Sequence, residues 1–165
     1  MEYSSEKVQR CQLEVLHALR AGVDPANLPL NAVIEIANFW EGVGSLARRG
    51  HLDLQRLLDR GSVAFCQSDW VRLAPLLTKR RSEFESPAMG ANFEWLVGQA
   101  EAWARKSGLR LDSPASQAAR LGESIAICEA AIRTFEALRS VTMVLPNVVS
   151  GAPPQTPAAA TSAEG

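Results

Sequence analysis

A chain of 165 residues, 47% apolar and 21% charged, is long enough to bury one real core and reads as a single folded domain. Its formal net charge of −1 supplies no global field to recruit nucleic acid, anionic lipid or acidic substrates. Cys11, Cys66 and Cys128 are odd in number and far apart, without metal-binding spacing, so neither a disulfide framework nor a zinc site is indicated.

The N-terminal MEYSSEKVQRCQ has neither a basic leader nor an apolar run, and no segment approaches the roughly 20 apolar residues that span a bilayer. A cytoplasmic location is expected. Ser4 or Ser5 caps a first helix carrying Val8, Cys11, Val15 and Leu19 at three-to-four spacing, ended by Gly22, Asp24 and Pro25. From Asn31 to Gly50 a second helix follows. At about 100° per residue its apolar stripe is Val33, Ile36, Ala37, Trp40, Val43, Gly44 and Ala47, with Glu41 and Arg48 on the border. Gly42 and Gly44 read as positions for close helix packing, because an exposed mid-helix glycine costs about 1 kcal/mol.

Leu52 to Arg60 predicts a short helix closed by Gly61, and Ser62 to Phe84 a longer one with Val63, Cys66, Trp70, Leu73, Ala74 and Leu77 on one face. Pro75 is expected to kink that helix near Val71, the alternative being a new helix from Asp69. A fifth helix, from Ala91 to about Ser107, turns Phe93, Leu96, Val97, Ala100, Trp103 and Ala104 inward. Ser113 or Ser116 starts the last, with Leu121, Ser124, Ile125, Cys128, Ala131, Ile132, Phe135 and Leu138 facing the core. Past about Ser140 the periodicity fails, and GAPPQTPAAATSAEG has nothing to bury. The expectation is therefore an all-α, single-domain bundle of five or six helices over residues 1–140, with a disordered Pro/Ala-rich tail over 141–165.

Four motifs stand in order, Asn38-Phe39-Trp40-Glu41, Gly50-x-Leu52-Asp53, Trp70-x-x-Leu73-x-Pro75-Leu76 with Arg80-Arg81, and Asn92-Phe93-Glu94-Trp95-Leu96, within a resemblance that covers roughly Val33 to Trp103. They resemble the bacterial helical family called domain of unknown function 4760. That resemblance implies a small helical domain and brings no established activity and no catalytic residues. Many such proteins look as if they carry an N-terminal membrane helix, whereas this chain opens with an amphipathic one.

Motifs that carry chemistry are scarce. His17 and His51 have no Cys, Asp or His partner at ligand spacing, and the phosphate-loop, nucleophile-elbow and zinc-protease signatures are missing. Di-metal carboxylate bundles need Glu-x-x-His pairs, which the chain lacks. No cofactor or metal is assigned. Arg81 falls on the apolar stripe seven residues after Ala74 while Glu41 and Glu94 border neighbouring stripes, which predicts an internal Arg–Glu network, since a buried charge needs a partner. Trp95 sits about 160° from the middle of the fifth helix's inner face; with Phe39 and Leu46 it marks a candidate interface. Between residues 48 and 81, eight Lys and Arg face three Asp, a basic segment read first as a solvated face.

The chain is accordingly expected to be a non-enzymatic protein-interaction or regulatory module with a protein partner or a second copy of itself. Two alternatives stay open: a helical nucleic-acid binder using the arginines of 48–81, and an enzyme built on Glu41, Glu94 and Arg81.

Overall fold

The computed structural model describes residues 2–59, 63–111 and 113–144. Seven α-helices occur among them: α1 (Glu2–Arg20), α2 (Leu30–Arg48), α3 (Leu54–Leu57), α4 (Val63–Glu83), α5 (Ala91–Lys106), α6 (Pro114–Ala119) and α7 (Leu121–Val144), with a 3-10 turn at Pro25–Asn27. The all-α expectation holds, and no strand is found among the described residues.

Local chemistry sets the helix ends. Gly22 takes a left-handed φ of 81° that a side chain would disfavour, and the Val23 N–H closes back onto the Ala18 carbonyl at 3.0 Å, so α1 stops there. Asp53 accepts from the Arg56 N–H at 3.1 Å to start α3, and Ser113 accepts from the Ser116 N–H at 3.2 Å to start α6. α4 runs unbroken through the exposed Pro75, so no new helix starts at Asp69. The C-terminal region departs from expectation, because the single last helix is two: a turn at Arg120 separates α6 from α7. α7 also passes the predicted boundary at residue 140 and reaches Val144, and the remainder of the predicted tail lies outside the described residues.

α2 and α5 pack on each other, α1 packs on α2 and α7, α4 on α5, and α6 joins α4 to α7. The main core lies among α1, α2, α4 and α5 and centres on Phe93, with Trp40 stacked against its ring at 6.0 Å between centroids and Trp70 edge-on at 5.0 Å. Side chains of this kind contribute about 1.5–3 kcal/mol each when fully buried. Smaller clusters hold the flanks: Leu16 with Ile125 and Cys128 between α1 and α7, and Leu58 with Ala100 between α3 and α5. At the far end of the α1–α7 contact, Glu6 accepts hydrogen bonds from Arg10 and Arg139. Gln12 and Leu16 of α1, Asp69 and Arg72 of α4 and Ser124 and Ile127 of α7 border a cleft between α4 and α7.

Candidate functional site

The residues singled out in the sequence meet around the start of α5. Gly90, at a φ of 72°, precedes that helix and has no side chain to cap it. Glu41 does so from α2, its Oε2 accepting from the backbone N–H of Asn92 and Phe93, each at 3.0 Å, and its Oε1 from Asn92 Nδ2 at 2.7 Å. A carboxylate at this end satisfies otherwise orphaned donors and meets the positive end of the helix dipole. The approach depends on Gly44, where a Cβ would sit 2.3 Å from the Asn92 carbonyl oxygen. Gly42, by contrast, has nothing within 4 Å of such a Cβ, so close packing within the chain does not explain it.

Arg81 reaches the same point from α4. Its Nε donates to the Met89 carbonyl at 2.6 Å, its Nη1 to Glu94 Oε2 at 2.8 Å, and its guanidinium lies 5.7 Å from the centre of the Trp70 ring. Arg81 thus pairs with Glu94, and Glu41 turns to backbone donors instead. Because Glu94 is exposed, the ion pair contributes about 1 kcal/mol or less, well short of the 3–5 kcal/mol lost on breaking a buried pair.

Phe39 and Leu46, seven residues apart, share a face of α2, and Trp95 lies away from it. Trp95 is half-buried against the main core beneath Arg48, whose guanidinium is 5.7 Å from its ring. Phe39 is nine residues from Arg48, half a turn around α2, and packs edge-on to Trp40 at 5.0 Å. Leu46, 46% exposed, is the open member. In the basic segment, Arg56 pairs with Asp53, Arg80 with Glu83, Arg81 with Glu94 and Arg72 with Asp69, and Lys79 donates to Asn27. Arg60 lies outside the described residues. His17 is half-buried, with Nδ1 3.2 Å from Arg20 Nη2, and His51 is exposed.

A second polar set, not singled out in the sequence, lies at the cleft between α4 and α7. Asp69 is 4% exposed, and its Oδ2 accepts from Gln12 Nε2 at 2.6 Å and from Trp40 Nε1 at 2.8 Å. Its Oδ1 is 3.8 Å from Arg72 Nη1, and Arg72 Nη2 reaches across the cleft to Ser124 Oγ on α7 at 3.2 Å. Burial pushes the Asp69 carboxyl above its ordinary value, against the pull of the Trp40 and Gln12 hydrogen bonds and of Arg72. On the facing wall Gln117 is 5% exposed, and neither its Nε2 nor its Oε1 has a hydrogen-bond partner.

The cleft encloses about 320 Å³ and is bounded by Leu16, Phe65, Ile127 and Ala131 as well as these polar groups. A second hollow of about 200 Å³ lies beyond Arg72 and Gln117, which border both. The larger depression between α3 and α5, about 710 Å³, includes Gln55, Asp59 and Lys106 but no buried polar group without a partner, so it has no comparable recognition element.

Burial, with the nearby Asp69 charge, raises the Cys128 thiol to about 11, and burial raises Cys66 further; both stay protonated and poorly nucleophilic near neutral pH. Among the described residues no three His, Cys, Asp or Glu side chains gather as metal ligands. No helix among them is long and apolar enough to cross a membrane.

The missed signal was present in the helical phase of α4. Asp69 falls three residues after Cys66 and four before Leu73, on the apolar stripe itself, with Arg72 one turn on. Gln117 gave no such signal, because its burial depends on α6 being a separate helix folded against α4.

Residues 9–100 match the model of a family described as domain of unknown function (DUF4760). The match takes in the joint where α2, α4 and α5 meet, together with Asp69 and Arg72, and ends before α6 and α7. No curated protein and no solved structure matches the chain. The match covers more than half of the chain, and the protein belongs to the DUF4760 family.

Proposed function

We propose that this DUF4760-family protein is a non-catalytic binding module of the protein-interaction or regulatory kind, and that the group it recognises enters the cleft between α4 and α7. A cytoplasmic location is part of the same proposal and accords with three free thiols. The observation that carries the reading is the make-up of the cleft. Two large apolar side chains at its edge, Phe65 at 58% and Ile127 at 48% exposure, stand over a buried polar floor in which the Gln117 amide has no partner. Folding alone favours neither feature, since exposed apolar surface forgoes burial and an unpartnered buried polar group costs about 1–3 kcal/mol.

The engagement of the other candidates also supports a binding role here. Glu41 and Arg81 are occupied in helix-to-helix contacts, which leaves the enzymatic reading without a free acid–base pair. A phosphate-tracking surface needs an outward row of cations, whereas Arg72 points into the cleft and Arg56, Arg80 and Arg81 are paired.

A fragment screen by 1H–15N NMR tests the proposal. Bound fragments should move amide signals of Leu16, Ser68, Ser124 and Ile127 together. The double variant Phe65→Glu, Ile127→Glu should abolish those shifts while keeping a folded spectrum, because both side chains are exposed. Shifts clustering elsewhere, or persisting in the double variant, would overturn the reading.

A further inference from the structure

We propose that the cleft selects a small, neutral, flat ligand bearing an N–H donor beside a carbonyl acceptor, a carboxamide or lactam on an apolar ring, and that the Gln117 amide reads that edge. The inference deepens the binding-module reading and rests on it. Gln117 supplies the donor–acceptor pattern: the residue borders the cleft, its Nε2 and Oε1 are buried just behind that surface without a partner, and a side-chain rotation that brings them to the cleft would match them to an amide or lactam edge, donor to acceptor and acceptor to donor. A ligand that completes both hydrogen bonds removes the penalty of two unsatisfied atoms, so recognition by this residue discriminates strongly against a molecule lacking either group.

Charge sets the second condition. Asp69 and Arg72 face each other at 3.8 Å, and Arg72 is further engaged by Ser124, so the floor carries a balanced pair. An anionic ligand would have to draw Arg72 from Asp69 and strand a buried carboxylate, while a cation would have to do the reverse. A neutral ligand disturbs neither.

Shape sets the third. About 320 Å³ is at the small end of ligand pockets, roughly 300–1,000 Å³, and suits one substituted ring rather than an extended chain. Leu16, Ile127 and Ala131 offer apolar walls, and the exposed Phe65 ring at the edge offers a face for stacking.

The test is an NMR titration of the full chain with benzamide and 2-pyridone, against benzoate and toluene as anionic and apolar counterparts of similar size. The two amide-bearing probes should shift the Gln117 side-chain NH2 signal and bind at least about ten-fold more tightly than either counterpart. Gln117→Leu should erase that preference while still admitting toluene, and Gln117→Met, equally unable to pair an amide, should do the same. Benzoate binding as tightly as benzamide, or a preference that survives both variants, overturns the inference. Fragments of other chemistry that occupy the cleft without favouring an amide also overturn it and leave the binding-module reading standing. No fragment at the cleft removes both.

Discussion

The joint where α2, α4 and α5 meet and the cleft between α4 and α7 use the same three kinds of polar side chain, a carboxylate, an arginine and an amide, to opposite ends. In the joint, Glu41 accepts from two backbone donors, Arg81 donates to Met89 and Glu94 through Nε and Nη1 while its buried Nη2 has no partner, and the Asn92 amide gives to Glu41 and takes from Arg48 at 3.4 Å. In the cleft, Asp69 and Arg72 are tied to neighbours, but the Gln117 amide is buried with both its atoms unpartnered. Polar groups satisfied inside the chain hold helices in place. Those buried and left open either weaken the fold or await something from outside; the joint leaves open one atom of an otherwise engaged arginine, whereas at the cleft a whole amide is open, and that difference separates scaffold from candidate site here.

Substitutions can break or sharpen this contrast. The largest loss is expected for Asp69→Ala, which strands the buried Trp40 and Gln12 donors: about 3–4 kcal/mol by equilibrium unfolding. Asp69 serves the scaffold on its Oδ2 side and borders the cleft as well, so it should also carry a pH signature. Its folded-state value is raised, so its contribution is fully present below the unfolded carboxylate value of roughly 4 and is lost as pH rises through the folded value. Asp69→Asn should flatten that limb of the stability–pH profile, and an unchanged profile would mean that Asp69 is not the titrating group.

Next comes Gly44→Ala. Its new Cβ meets backbone atoms of Asn92 that cannot rotate aside, so α2 and α5 must separate, at a cost of about 3 kcal/mol. Gly42→Ala is the internal control: with nothing near its Cβ it should stabilise by up to about 1 kcal/mol, as an ordinary helical Gly-to-Ala change does. Equal effects at the two glycines would undo the account of the α2–α5 approach. Glu41→Gln keeps the shape but removes the charge from the end of α5, with an expected loss of about 1–2 kcal/mol, the size of a lost helix cap.

Much of the scaffold was legible because helical faces are a property of local spacing. Val33, Ile36, Ala37 and Trp40 on α2, and Phe93, Leu96, Val97 and Ala100 on α5, are buried as the 100° step predicts. Spacing says less about partners. Glu41 reads as a border residue, yet whether it meets a guanidinium or a helix end depends on where α5 begins, which Gly90 sets by its left-handed turn. Trp95 reads as outward-facing on its own helix, yet it packs against the main core with Arg48 of the neighbouring α2 over its ring. The cleft was the least legible part. Asp69 was hidden by reading α4 for its apolar members alone, and the Gln117 wall requires the turn at Arg120 that divides α6 from α7.

The measurement that tests the contrast most directly is the unfolding free energy of Gln117→Leu beside that of the wild type. If the amide is held open for a ligand, replacing it with an apolar side chain of similar size removes two unsatisfied atoms, so stability should be unchanged or higher by about 1 kcal/mol. A loss of about 1 kcal/mol or more would show that Gln117 is part of the scaffold, and would contradict the assignment of the cleft as the functional site.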